Sequence, residues 1–267
     1  MNKICMLGTG MGVVTKCFNT CFTIYNGEEH FLVDTGGGSG ILAQLEKMDI
    51  DIQNIHNVFI SHKHTDHIFG IFWLIRKIGK LILDGEYKGN LNIYCHEEVK
   101  DVITKIAELT IHSKILKCMN NGIRIITVED REKLNICGYD VQFVDIGSKK
   151  DLQYGFVLTF ENKRLVFLGD EPYQGGFDEL ILNPDWLLTE AFCMYSQRDI
   201  FKPYEKWHAT VKEACETANR LNAKNLLIYH SEDRNIEKRK ELYTAEGKQY
   251  FNGNIYVPDD LDIIELK

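Results

Sequence analysis

The chain has 267 residues, 44% of them hydrophobic, with 39 acidic against 31 basic side chains and a formal net charge of -8. That length and apolar fraction supply a sizeable core without disulfide staples, and a single domain over residues 1–267 is expected. The acidic balance excludes an extended nucleic-acid footprint, which needs a basic face, but not a short phosphoester.

From the amino terminus, Met1 to Leu7 lacks the long apolar core and small-residue cleavage site of an export signal. Strands are expected at Ile4–Leu7, Thr20–Tyr25 and His30–Asp34, separated by Gly-rich or Asn-Gly turns, as an opening antiparallel meander. A helix over Ser39–Lys47, a strand over Val58–Ile60 and a helix over Asp66–Lys77 follow, then a strand at Leu91–Tyr94 and an amphipathic helix at Glu97–Leu109. The second half repeats the plan, with strands at Ile123–Thr127, Val141–Val144, Tyr154–Phe160, Arg164–Leu168 and Trp186–Leu188. Helices at Thr210–Leu221 and Ile236–Gln249 flank a strand at Asn225–Tyr229, and Asp260–Glu265 adds an edge strand. Strands followed by helices, twice over, favour an α/β fold of two facing sheets with helices outside both.

The most apolar stretch, Ile68 to Ile78, is interrupted by Arg76 and Lys77 and is too short to span a bilayer, so no membrane association is expected. The 8 cysteines contain no Cys-x-x-Cys pair and read as reduced, mostly buried thiols in a cytoplasmic protein. Cys17 and Cys21 are expected on one face of a strand, where they could meet a metal, with small core hydrophobes as the favoured reading.

The chemistry concentrates in Ser61-His62-Lys63-His64-Thr65-Asp66-His67, where three imidazoles and a carboxylate fall on a loop between a buried strand and a buried helix. Imidazole with a little carboxylate is the donor set that zinc and similar divalent ions favour. Three further segments end an apolar strand in a polar group: Leu32-Val33-Asp34 before a glycine turn, Phe167-Leu168-Gly169-Asp170, and Ile228-Tyr229-His230. One such group is ordinarily a turn residue. Three beside the histidine run suggest convergence at one rim of the sheets, with Asp34 orienting a ligand imidazole.

On these residues the chain resembles the metallo-β-lactamase-fold hydrolases, and within them the RNase Z-like phosphodiesterase branch, over most of its length. The resemblance implies a four-layer αββα sandwich with a dinuclear site, usually zinc, with Mn2+ or Fe2+ as alternatives. His62 and His64 would serve one metal, Asp66, His67 and His230 the other, and Asp170 would bridge them. Leu187-Leu188-Thr189-Glu190-Ala191 is similar to the branch's His-Glu-Ala motif, and Trp207-His208-Ala209-Thr210 to its Gly-His-Ser-Thr motif. They imply that Glu190 holds and charges His208, which protonates the leaving oxygen, so that Asp66, His208 and Glu190 are the expected catalytic side chains.

Two departures qualify the resemblance. The family carries another metal-binding histidine on the loop that is here Asp145 to Lys150, and this chain has none; Gly147 takes the position, or Ser148 or Lys149 if the pattern slips. One cation or two would then bind, the first weakly, with water, Ser148 or Asp145 closing the gap. His96 and His112 lie in or beside helical stretches and are expected at the surface. The protruding arm of tRNA-processing members is missing between Glu97 and Gln142, so structured tRNA is a poor substrate guess. The expected activity is metal-dependent hydrolysis of a small or unstructured phosphodiester by metal-bound hydroxide. Hydrolysis of another ester, lactone or thioester, or binding without turnover because of Gly147, is the alternative. A homodimer is compatible with the sequence.

Overall fold

The computed structural model describes residues 2–119 and 121–267. In chain order the first strands are β1 (Lys3–Gly8), β2 (Cys21–Tyr25), β3 (His30–Val33), β4 (Ile55–Phe59), β5 (Leu91–Cys95), β6 (Ile123–Thr127) and β7 (Lys133–Ile136). They continue as β8 (Tyr139–Asp145), β9 (Tyr154–Phe160), β10 (Lys163–Phe167), β11 (Trp186–Glu190), β12 (Asn225–Tyr229), β13 (Asn254–Tyr256) and β14 (Ile263–Glu265). The helices are α1 (Gly40–Lys47), α2 (Thr65–Ile68), α3 (Gly70–Leu83), α4 (Glu97–Thr110) and α5 (Ser113–Leu116). After these come α6 (Asp178–Ile181), α7 (Arg198–Phe201), α8 (Val211–Arg220) and α9 (Arg239–Gly247).

The chain divides into two compact units. The first comprises Met1–Gly8, Phe18–Glu129 and Asp260–Lys267. Its seven-stranded sheet runs β14-β1-β2-β3-β4-β5-β6, antiparallel from β14 to β3 and parallel from β3 to β6. Apolar side chains at alternating strand positions, such as Cys5 with Leu7 and Leu91 with Ile93 and Cys95, meet Ile41 and Leu45 of α1, Leu74, Ile75 and Ile78 of α3, and Val99 and Ile103 of α4. The helical spacing of those residues is what turns one face of each helix to the sheet.

The second unit comprises Thr9–Cys17 and Asp130–Asp259. Its sheet repeats the plan in the order β13-β12-β11-β10-β9-β8-β7, with β7 to β10 antiparallel and β10 to β13 parallel. Val166, Leu187, Leu226 and Ile228 of this sheet pack with Val211, Ala214, Cys215 and Ala218 of α8 and Tyr243 of α9.

Several expectations are corrected. The Ile123–Thr127 strand pairs in parallel with β5 and so closes the first sheet rather than opening the second half. The helix expected over Asp66–Lys77 is broken at Phe69 into α2 and α3, because Gly70 N donates to Gly36 O at 2.9 Å. A Cβ at Gly70 would stand 2.0 Å from Thr35 O, so only glycine permits that approach. The helix expected over Ile236–Gln249 begins as a short 3-10 turn, Ile236–Lys238. Cys17 lies in a bend ahead of β2 and shares no strand with Cys21. No helix among the described residues is long and apolar enough to cross a membrane.

Candidate metal centre

In the first unit, β3 ends at Val33 and the chain turns sharply through Asp34, whose φ of 54° lies in the left-handed region. For a residue with a Cβ this conformation costs about 1–2 kcal/mol, and the Asp34 N–H to Phe59 O bond of 2.8 Å helps to hold it. The turn directs the carboxylate at the loop that follows β4. Asp34 Oδ1 accepts from Ser61 N at 2.8 Å, the Ser61 hydroxyl lies 2.8 Å from Oδ2, and His67 Nδ1 lies 2.8 Å from the same Oδ2. Ser61 Oγ in turn lies 3.0 Å from His62 Nδ1. One buried carboxylate therefore fixes two imidazoles, His67 directly and His62 through a hydroxyl. A ring that donates through Nδ1 carries its lone pair on Nε2, so both are set as Nε2 ligands.

The His62 ring centroid lies 4.5 Å from that of His64 and 4.2 Å from that of His67, and Asp66 Oδ2 lies 3.4 Å from His67 Nε2. His62 and His67 are buried, whereas His64 and Asp66 are partly exposed. The loop places them by turning into α2, with His64 as the extended residue before it and His64 O accepting from the N–H groups of His67 and Ile68.

In the second unit the same strand-end device appears twice, at Gly169 (φ 69°) after β10 and at His230 (φ 57°) after β12. It delivers Asp170 and His230 side by side, with His230 Nε2 3.5 Å from Asp170 Oδ2. Asp170 Oδ1 accepts from Gln153 Nε2 at 2.6 Å, and Gln153 Oε1 accepts from Asp170 N at 3.2 Å, a two-point clamp from a fully buried amide. Ligand atoms of Asp170, His208 and His230 all lie within 4.8 Å of one another. Buried imidazoles beside a buried carboxylate fit a divalent cation of intermediate softness, in this unit as in the first.

His208 sits just ahead of α8, whose start is fixed by a reciprocal box between Thr210 and Glu213. Its ring stacks on Phe192 at 4.9 Å and stands 5.1 Å from the ring of His230. Nδ1 is 3.6 Å from Glu190 Oε1, longer than a hydrogen bond, and that same oxygen accepts from Ala209 N at 2.5 Å. Burial pushes the Glu190 carboxyl well above its ordinary range, opposed by the Ala209 N–H and by the positive fields of His230 and Lys150. An imidazolium at His208 would stabilise the charged carboxylate, which is the pairing expected of an acid and its partner.

The loop before β9 carries no imidazole, and its side chains have other work. Gly147 has a φ of 68° with open space where a Cβ would be, Ser148 Oγ donates to Glu171 Oε1 at 2.6 Å, and Asp145 Oδ1 accepts from Gly147 N at 2.8 Å. His96 is buried at the start of α4, against the surface position expected for it, whereas His112 is exposed. Sequence reasoning missed Ser61, Gln153, Glu171 and Lys150. Ser61 had a signal in adjoining His62; the other three acquire their roles only through contacts distant in sequence.

A family profile described as "Anti-Pycsar protein Apyc1" matches residues 2–251. The ribonuclease Z of Thermococcus sibiricus is 25% identical over 308 aligned positions, covering 100% of this chain and 97% of that protein. Among solved structures, the metallo-β-lactamase fold protein YhfI from Bacillus subtilis gives a TM-score of 0.79 at 20% identity and covers 98% of both chains. Human tRNase Z, short form, gives 0.76 at 20% identity and covers 99% of both. These likenesses establish the metallo-β-lactamase fold.

Proposed function

This chain belongs to the family of the anti-Pycsar protein Apyc1, and on that premise we propose that it is a metal-dependent phosphodiesterase acting on a small or unstructured phosphodiester. The proposed ion is zinc, one or two per chain, with manganese or iron(II) as substitutes. The proposed ligands within the first unit are His62, His64, Asp66 and His67, and those within the second unit are Asp170 and His230. When bound, the ion supplies positive charge at the phosphoryl oxygens and a water acidic enough to attack phosphorus.

The chain's own residues do the remaining work. Asp34 and Ser61 hold two imidazoles in the ligating tautomer, Gln153 fixes the Asp170 carboxylate, and Asp66, 3.4 Å from His67 Nε2, is the proposed catalytic carboxylate beside them. His208 gives a proton to the leaving oxygen, and Glu190 stabilises the imidazolium. The observation that carries this reading is the His208 ring, stacked on Phe192 beside Glu190, Asp170 and His230.

The test is a pair of diesters differing in leaving group. Protonation matters for an alkoxide and little for a nitrophenolate, so His208→Ala should lower kcat about 10²–10⁴-fold on the alkyl diester and far less on the nitrophenyl one. Equal losses on both would remove His208 as the acid.

A small substrate is supported by the net charge of -8 and by the segment between α4 and β8, whose described residues are taken up by α5, β6 and β7. Turnover of short diesters against precursor tRNA measures the preference. The eight cysteines, which form no Cys-x-x-Cys pair in the sequence, support a reducing, cytoplasmic setting. Exposed Val13 and Ile200, which line one 270 Å³ cavity of the second unit, support a homodimer, to be read by sedimentation velocity.

A further inference from the structure

Lys150 Nζ lies 3.3 Å from His208 Nε2. An ammonium has three N–H donors and no lone pair, so Lys150 donates and Nε2 accepts, which leaves the ring proton on Nδ1 facing Glu190. The arrangement is built rather than incidental. Glu171, a buried carboxylate next to Asp170 in sequence, accepts from Ser148 Oγ at 2.6 Å, Lys149 N at 2.9 Å and Lys150 N at 3.3 Å. The end of β10 thus supplies two adjacent carboxylates with separate jobs, one beside His230 and one anchoring the loop that carries Lys150.

An ammonium normally settles on a carboxylate when one is available. Among the described residues none comes within ion-pair distance of Lys150 Nζ, although the field of Lys150 reaches the buried Glu190. Fixing a lysine side chain costs rotamer entropy, and one neutral imidazole is a modest return for a full positive charge. A cation held part-buried against an imidazole, with its charge incompletely met, is receptive to an anion.

We propose that Lys150 is a substrate-contacting residue whose ammonium leaves His208 Nε2 to bind a non-bridging oxygen of the phosphodiester. This rests on the reading of His208 as the acid. Binding the anion then has two effects. It neutralises substrate charge, and it frees the Nε2 lone pair to take up a proton from solvent, the proton that the resulting imidazolium then passes to the leaving oxygen.

The experiment compares wild type, Lys150→Ala, Lys150→Arg and His208→Ala as purified holoproteins. Inorganic phosphate binding is read by calorimetry and KM and kcat on the alkyl diester. Lys150→Ala should weaken phosphate binding and raise KM by about 10-fold, the range of a charge-assisted hydrogen bond, with a smaller change in kcat. Lys150→Arg should restore most of the binding. His208→Ala should lose kcat and keep phosphate affinity. Equal phosphate affinity in wild type and Lys150→Ala overturns the proposal whatever the turnover. A wild type that turns over no diester yet loses phosphate affinity with Lys150 keeps the proposal and retires the hydrolase reading.

Discussion

The Oδ2 atom of Asp34 lies 2.8 Å from Nδ1 of His67, both side chains are buried, and the Oδ1 atom of the same carboxylate holds Ser61. Loss of such an orienting group typically costs a metal site 10–100-fold in affinity, so Asp34→Asn should weaken zinc binding by about that factor. Asparagine tolerates the left-handed backbone required there, so the variant should keep its far-ultraviolet spectrum. Competition with a chromophoric chelator measures the effect. Wild-type affinity in Asp34→Asn would mean that His67 is oriented by something else.

Gly70 starts α3 with its Cα pressed against the Thr35 carbonyl, and Thr35 is itself tied to His67 O through both N and Oγ1. Gly70→Ala must push backbone against backbone. A destabilisation of about 1–3 kcal/mol is expected, the usual range for overpacking, with a fall of several degrees in Tm. An unchanged Tm would show that the approach of α3 to the Asp34 turn is looser than described.

His30 on β3 bonds Thr23 Oγ1 at 2.9 Å and stacks on Tyr25, and burial, with help from Lys3, lowers its pKa from 6.5 to about 4. Between those values the unfolded chain binds the extra proton, so the contribution is complete above pH 6.5 and is lost as pH falls toward 4. Discounted for its partial exposure, it should amount to no more than about 2 kcal/mol. Thermal melts at pH 7 and pH 5 should show wild type losing more stability than His30→Gln. Equal losses would assign the acid limb to other groups.

Much of each unit's candidate cluster was legible because its residues lie in local motifs. The run from His62 to His67 and the strand-end groups Asp34, Asp170 and His230 announce themselves by chemistry at the tip of an apolar strand, and the left-handed backbone at Asp34, Gly169 and His230 is the physical form of that pattern. What escaped depends on pairing across the chain. The Ile123–Thr127 strand carries no local mark of which sheet it joins, and β7, with two of its four residues exposed, looks like loop in sequence. The break at Phe69 interrupts an unbroken apolar pattern and follows from the contact of Gly70 with the Asp34 turn. Gln153, Glu171 and Lys150 are ordinary polar residues until folding sets them against Asp170, the Ser148 loop and His208.

The central claim is that a divalent cation held by these histidines and aspartates hydrolyses a phosphodiester. The most direct measurement is elemental analysis of purified protein before chelation, after chelation and after reloading with zinc or manganese, with diester turnover followed at each stage and His67→Ala as control. One to two ions per chain, loss of turnover on chelation, recovery on reloading and reduced metal in His67→Ala are predicted. Protein that holds far less than one ion per chain, or that turns over the diester equally well without metal, would contradict the account.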